Sequence, residues 1–183
     1  MALTKYEKTH DILRLSTGPK RTADTLPNPV RRAISGGSVR PYSIDARLQL
    51  ICKFRWHGDR VDHTFPLADY AEQGIVAAAG SDAPVTSADP LRGIYCAVTR
   101  KTASGTSVGA SQKTSPLDAV WAATLNGAYA SFEEGRKGSI EPGKLADLVV
   151  LDGSLLSSPL EDLISLKPAL TLVGGEVVFK AGR

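Results

Sequence analysis

The most restrictive feature of the chain is a five-residue apolar run, Ile75 to Ala79, framed by Gly74 on one side and Gly80-Ser81-Asp82 on the other. A continuous apolar run of that length, bounded by turn residues, reads as a strand buried on both faces, which is how parallel sheets covered by helices use their strands. In such folds chemistry gathers at the carboxyl end of the strand, and Asp82 stands there. The same aspartate can equally serve as a turn or cap residue after a strand.

The surrounding sequence supplies the helices. Leu67 to Gln73 reads as a short helix ended by Gly74. Asp89-Pro90 can open another, running from Leu91 to about Lys101, with proline suited to its first position. Lys101 to Lys113 is a Ser/Thr/Gly loop. Ser115-Pro116-Leu117-Asp118 signals a third helix, with Ser115 as N-cap and Asp118 in the first turn; Leu117, Val120, Trp121, Thr124, Leu125 and Ala128 give it one apolar face. Trp121 and Tyr129 read as core. The end of the chain reads as β: a turn at Glu141-Pro142-Gly143-Lys144, a strand from Asp147 to Leu151, and two strands, Ala169 to Val173 and Val177 to Lys180, flanking the hairpin signal Gly174-Gly175. Lys144 and Asp147 are read as turn chemistry.

The N-terminal part has a different character. Residues 16–43 hold four prolines and three glycines with few branched apolar residues, the composition of a linker. Residues 1–60 carry 12 Lys/Arg against five Asp/Glu, whereas residues 61–183 carry 10 against 14. A basic third of this kind could neutralise phosphates, but its cations are scattered and no aromatic platform interleaves with them, so neither nucleic acid nor another polyanion is the expected partner. No stretch approaches 18 consecutive apolar residues, and the charged start lacks the apolar segment of a signal peptide. Cys52 and Cys96 lie far apart with no metal or disulfide spacing, as free thiols of a reducing compartment would. The expectation is a cytoplasmic chain without a membrane partner.

Five blocks together carry a family likeness: residues 74–85 (GIVAAAGSDAPV), 89–100 (DPLRGIYCAVTR), 115–134 (SPLDAVWAATLNGAYASFEE), 137–152 (KGSIEPGKLADLVVLD) and 171–179 (TLVGGEVVF). In this order they resemble the C-terminal part of the metal-dependent amidohydrolases, nearest to the amidohydrolase family 3 branch with its N-substituted formamide deformylase-like members. The resemblance covers roughly residues 58–180. It implies an α/β chain: the last strand and helix portion of a (β/α)8 metal-dependent hydrolase barrel, plus a small C-terminal portion of a β-sandwich. The organisation that follows is a poorly ordered basic region over residues 1–57, the barrel fragment over 58–135 and sandwich strands over 136–183.

On that mapping Asp82 is both metal ligand and catalytic base. A divalent metal, zinc first, with iron and manganese also compatible, would lower the pKa of bound water while the carboxylate takes its proton. The implied substrate is a small-molecule amide or N-formyl compound, hydrolysed at a non-peptide carbon–nitrogen bond. Arg92 or Arg100 is the candidate to face its carboxylate or amide oxygen; the alternative for both is an exposed helix arginine. Asn126 is read as anchoring a helix end.

The family's HxH pair and further ligands have no counterpart. The chain has only His10, His57 and His63, and the latter two precede the strand by a helix as surface or core residues. A full barrel typically needs about 250 residues, so 183 leave room for its last quarter. The expectation is therefore a fragmentary hydrolase that lacks most metal ligands. The alternative is a catalytically inactive interaction or assembly module derived from an amidohydrolase, whose exposed edges would be covered by a second copy or a complementing chain.

Overall fold

The computed structural model describes residues 64–182 apart from 82, 85 and 103. The region expected over residues 1–57, together with His10, Cys52, His57 and His63, lies outside the described residues, and so does Asp82.

Among the described residues, four α-helices precede the sheet. Helix α1 (Leu67–Glu72) ends at Gly74, whose φ of 70° needs a residue without Cβ strain. Helix α2 (Pro90–Thr99) opens with Asp89 as N-cap, its carboxylate accepting from the Leu91 N–H at 3.0 Å, and Pro90 at a position where a missing N–H costs nothing. Helix α3 (Pro116–Ala123) repeats the device with Ser115, whose hydroxyl oxygen accepts from the Asp118 N–H at 3.1 Å.

The single helix expected across Leu117 to Ala128 is broken at Thr124, and α4 (Leu125–Ala130) continues beyond it. At the break φ and ψ are −129° and −87°. The Thr124 hydroxyl donates to the Val120 carbonyl at 2.7 Å, a back-bond that bends helices. Gly138 packs into the same corner: a Cβ there would stand 2.7 Å from the Ala128 Cβ and 3.0 Å from the Leu125 Cα.

The C-terminal part is an antiparallel sheet ordered β1 (Leu148–Leu151), β2 (Pro168–Val173), β3 (Glu176–Lys180). The hairpin expected at Gly174-Gly175 is present, and both glycines have positive φ, 58° and 88°, as a twisted two-residue turn requires. Asp147 fixes that turn to the first strand, its carboxylate accepting from the Gly174 N–H at 2.8 Å. Between β1 and β2 a 3-10 helix spans Leu160–Ser165.

One buried cluster joins these parts. Leu67, Ile94, Val98 and Val120 from the helices share it with Leu151 of β1 and Leu163 of the 3-10 helix, which is fully buried. Helix α2 lies between α3 and the 3-10 helix, which explains why seven of its ten residues are buried. The cluster thus crosses the boundary expected at 135/136. Among the described residues, no helix is long and apolar enough to cross a membrane.

The segment expected as a strand, Ile75 to Ala79, carries a β-bridge position at Ala79. Among the described residues it is also held by two helices. The Ala79 N–H donates to the Ala122 carbonyl at 2.8 Å, and the Asn126 side-chain amide donates to the Ala77 carbonyl at 2.9 Å.

Candidate functional site

The segment at 75–81 is pinned at three points before it reaches position 82. The Ile75 N–H donates to the Tyr70 carbonyl at 2.8 Å, closing the chain onto α1. The contacts from Asn126 and to Ala122 then fix it to the break between α3 and α4. Asn126 does more than anchor a helix end: it satisfies a carbonyl of Ala77, a buried residue 49 positions earlier.

Beyond the segment the chain turns on short polar side chains. The Ser81 hydroxyl oxygen accepts from the Ala83 N–H at 3.3 Å, and the Thr86 hydroxyl donates to the Ser81 carbonyl. Ser87 then accepts from the Asp89 N–H at 3.3 Å, which leads into the cap of α2.

A cavity of about 130 Å³ lies at this end of the segment, walled by Ala79, Gly80, Ser81, Gly93, Ala119 and Ala122 among others. Ser81 is the one polar side chain in its described lining. No titratable side chain stands in that described lining.

The two arginines have different places. Arg92 is exposed in the first turn of α2, next to the cavity-lining Gly93, as the helix-arginine alternative describes. Arg100 departs from that alternative completely, being 0% exposed. Its Nε donates to the carbonyls of Val108 (3.0 Å) and Gly109 (3.1 Å), its Nη2 to Thr64 (2.8 Å) and its Nη1 to Phe65 (3.4 Å). The guanidinium thus ties the loop after α2 to the residues before α1. The two arginines lie at opposite ends of the helix and are not brought together.

Gln112 went unnoticed in the sequence. It is 2% exposed, its Nε2 donating to the Asp69 carboxylate at 2.8 Å while its Oε1 accepts from the Asp69 N–H at 3.2 Å. Nothing in a Ser/Thr/Gly loop signals a pair across 43 residues. Lys144 and Asp147 do keep the turn roles expected of them: Lys144 donates to the Ser139 hydroxyl at 2.6 Å, and Asp147 holds the hairpin.

Cys96 is buried, its thiol donating to the Lys101 carbonyl at 4.0 Å. Among the described residues, no three His, Cys, Asp or Glu side chains converge in a group that could hold a metal ion. This part of the chain therefore does not fit a complete metal site.

Comparisons with known proteins converge on one description. A protein-family model described as the amidohydrolase family matches residues 22–179. The amidohydrolase YtcJ of Bacillus subtilis (strain 168) is 32% identical over 125 residues, covering 67% of this chain and 24% of that protein. N-substituted formamide deformylase of Arthrobacter pascens is 30% identical over 127 residues, covering 68% of this chain and 23% of that protein. The chain thus spans about a quarter of the length of these curated relatives. Among solved structures, an amidohydrolase from Thermotoga maritima MSB8 matches with a TM-score of 0.49 and 24% identity, over 63% of this chain and 26% of that one.

Proposed function

Because the chain belongs to the amidohydrolase family, we propose that it is part of a hydrolase acting on a non-peptide carbon–nitrogen bond of a small amide or N-formyl substrate. The observation that carries this reading is the family match over residues 22–179, within which the pinned segment 75–81 leads to Asp82. In the proposed arrangement residues 58–135 are the last strand-and-helix portion of a (β/α)8 barrel, and the three-stranded sheet is a portion of a small β-sandwich.

Asp82 is the proposed base: its carboxylate takes the proton from the attacking water and returns it to the departing amine, so one group serves both halves of the reaction. Three hydrogen bonds hold the segment before it, and such support is what keeps a catalytic carboxylate within the narrow range of productive geometry. Arg92 is the arginine proposed to meet a substrate oxygen, because its side chain is exposed beside Gly93. Arg100 is assigned to the scaffold. The family reading also implies a divalent metal, zinc first, whose site the described residues do not form.

The test is metal content per chain together with amine release from a panel of amides and N-formyl amines, for the wild type and Asp82→Asn. Near-stoichiometric metal and amine release, both lost in the variant, is the expected result. Metal near zero in both proteins, with no amine released, would favour the catalytically inactive assembly module.

A further inference from the structure

The two contacts that the break between α3 and α4 makes to the segment before position 82 belong together. The Asn126 side-chain amide donates to the Ala77 carbonyl at 2.9 Å, and the Ala122 carbonyl accepts from the Ala79 N–H at 2.8 Å. Residues two apart in an extended chain turn their peptide groups to the same edge. A parallel neighbour engages such a pair from a single residue, its N–H on the earlier carbonyl and its C=O on the later N–H. The helix break offers residues 77–79 the same two partners: the amide nitrogen of Asn126 takes the place of the backbone donor, and the Ala122 oxygen that of the backbone acceptor.

The break makes this pair possible. In an unbroken helix the Ala122 carbonyl would accept from the N–H of residue 126, four positions on. At Thr124 the backbone leaves helical values, with φ −129° and ψ −87°, and the Ala122 carbonyl accepts from Ala79. The other half of the pair needs a short side chain that carries a donor, which asparagine has and an ionised aspartate of the same shape lacks.

We propose that Asn126 is a positioning residue: its amide, acting with the Ala122 carbonyl, sets the direction in which the chain leaves Ala79 toward position 82. The catalytic consequence rests on the reading of Asp82 as the base; the contact itself does not. A reacting group displaced by about 1 Å can lose about 100-fold in rate. A hydrogen bond that only stabilises the fold weakens the whole cooperative unit evenly when it is removed.

Amide hydrogen exchange and amine-release kinetics of the full chain separate the two roles, for the wild type, Asn126→Ala and Asn126→Asp. The aspartate leaves no cavity, and the position is half-buried, so its charge keeps contact with water. Circular dichroism checks that each variant folds. In both variants protection at the Ala79 N–H should fall about tenfold further than in α2. The kcat for amine release should fall about 100-fold, with KM within about twofold of the wild type. Ser115→Ala, which weakens the cap of α3 without touching the segment, should lower protection equally at Ala79 and in α2 and leave kcat unchanged. Equal loss at Ala79 and in α2 in the Asn126 variants would overturn the proposal, and so would turnover at the wild-type rate. A wild type that binds no metal and releases no amine counts against the hydrolase reading alone. Exchange then decides: a loss centred on Ala79 supports the assignment of Asn126, and an even loss overturns it.

Discussion

Arg100 occupies the position after α2 where a helix commonly ends in glycine, and it does so in the left-handed conformation, φ 55°. A residue with a Cβ there costs on the order of 1 kcal/mol. The cost is offset by a guanidinium that satisfies carbonyls on two separate segments. Arg100→Ala is expected to lower stability by about 3 kcal/mol, because the carbonyls lose their donors and a cavity opens. Arg100→Gly, which relieves the backbone, should recover about 1 kcal/mol of that loss. Urea unfolding of both variants measures the difference. At the surface, the Lys137 ammonium and then the Ser131 hydroxyl, both hydrogen-bonded to Glu133, hold its carboxyl below the ordinary value of 4.5. A carboxyl lowered on folding adds stability above the unfolded value and loses it as pH falls through the folded one. A carbon-detected NMR titration should therefore place Glu133 below 4.5, and Lys137→Ala should move it back up. The sequence shows Arg100 as an arginine at a helix end and no more. Its partners Thr64 and Gly109 are known only once the chain has folded, so neither an exposed nor a substrate-facing reading could anticipate a buried clamp.

At the scale of elements, legibility follows how local the determining chemistry is. The caps of α2 and α3 and the Gly174-Gly175 turn lie within four residues of what they organise, and the elements stand where the sequence puts them. The break at Thr124 has no sequence signal, because a threonine that back-bonds to Val120 also suits an unbroken helix and the close packing of Gly138 comes from outside it. The run at Ile75 to Ala79 has the composition of a strand, and the helical contacts that the described residues add to it have no local signal. Since the cap of α3 is local, its removal should be too. Ser115→Ala is expected to cost about 1 kcal/mol, read from the urea midpoint, and Ser115→Asp to restore most of it. Of the candidate site, the supporting contacts of Asn126 and Ala122 were invisible in the sequence for the same reason: each spans more than 40 residues.

For the whole molecule, the consequential fact is that one core links helices and sheet. Leu163, fully buried, joins Leu151 and Leu155 in holding the C-terminal part to the helical part. Leu163→Ala should cost about 3 kcal/mol. If the core is one cooperative unit, protection against hydrogen exchange should fall by the same factor in α2 and in β1; a loss confined to the sheet would show two units instead.

The clamp at Arg100 also bears on the order of events as the chain folds. A bare guanidinium enters a dry interior only when its acceptors are already waiting, and here they come from 35 residues upstream as well as from the loop just downstream. Neither segment gains much by arriving alone. If their closure follows the rate-limiting step, the alanine variant should fold at nearly the wild-type rate and come apart faster, as stopped-flow folding and unfolding rates would show.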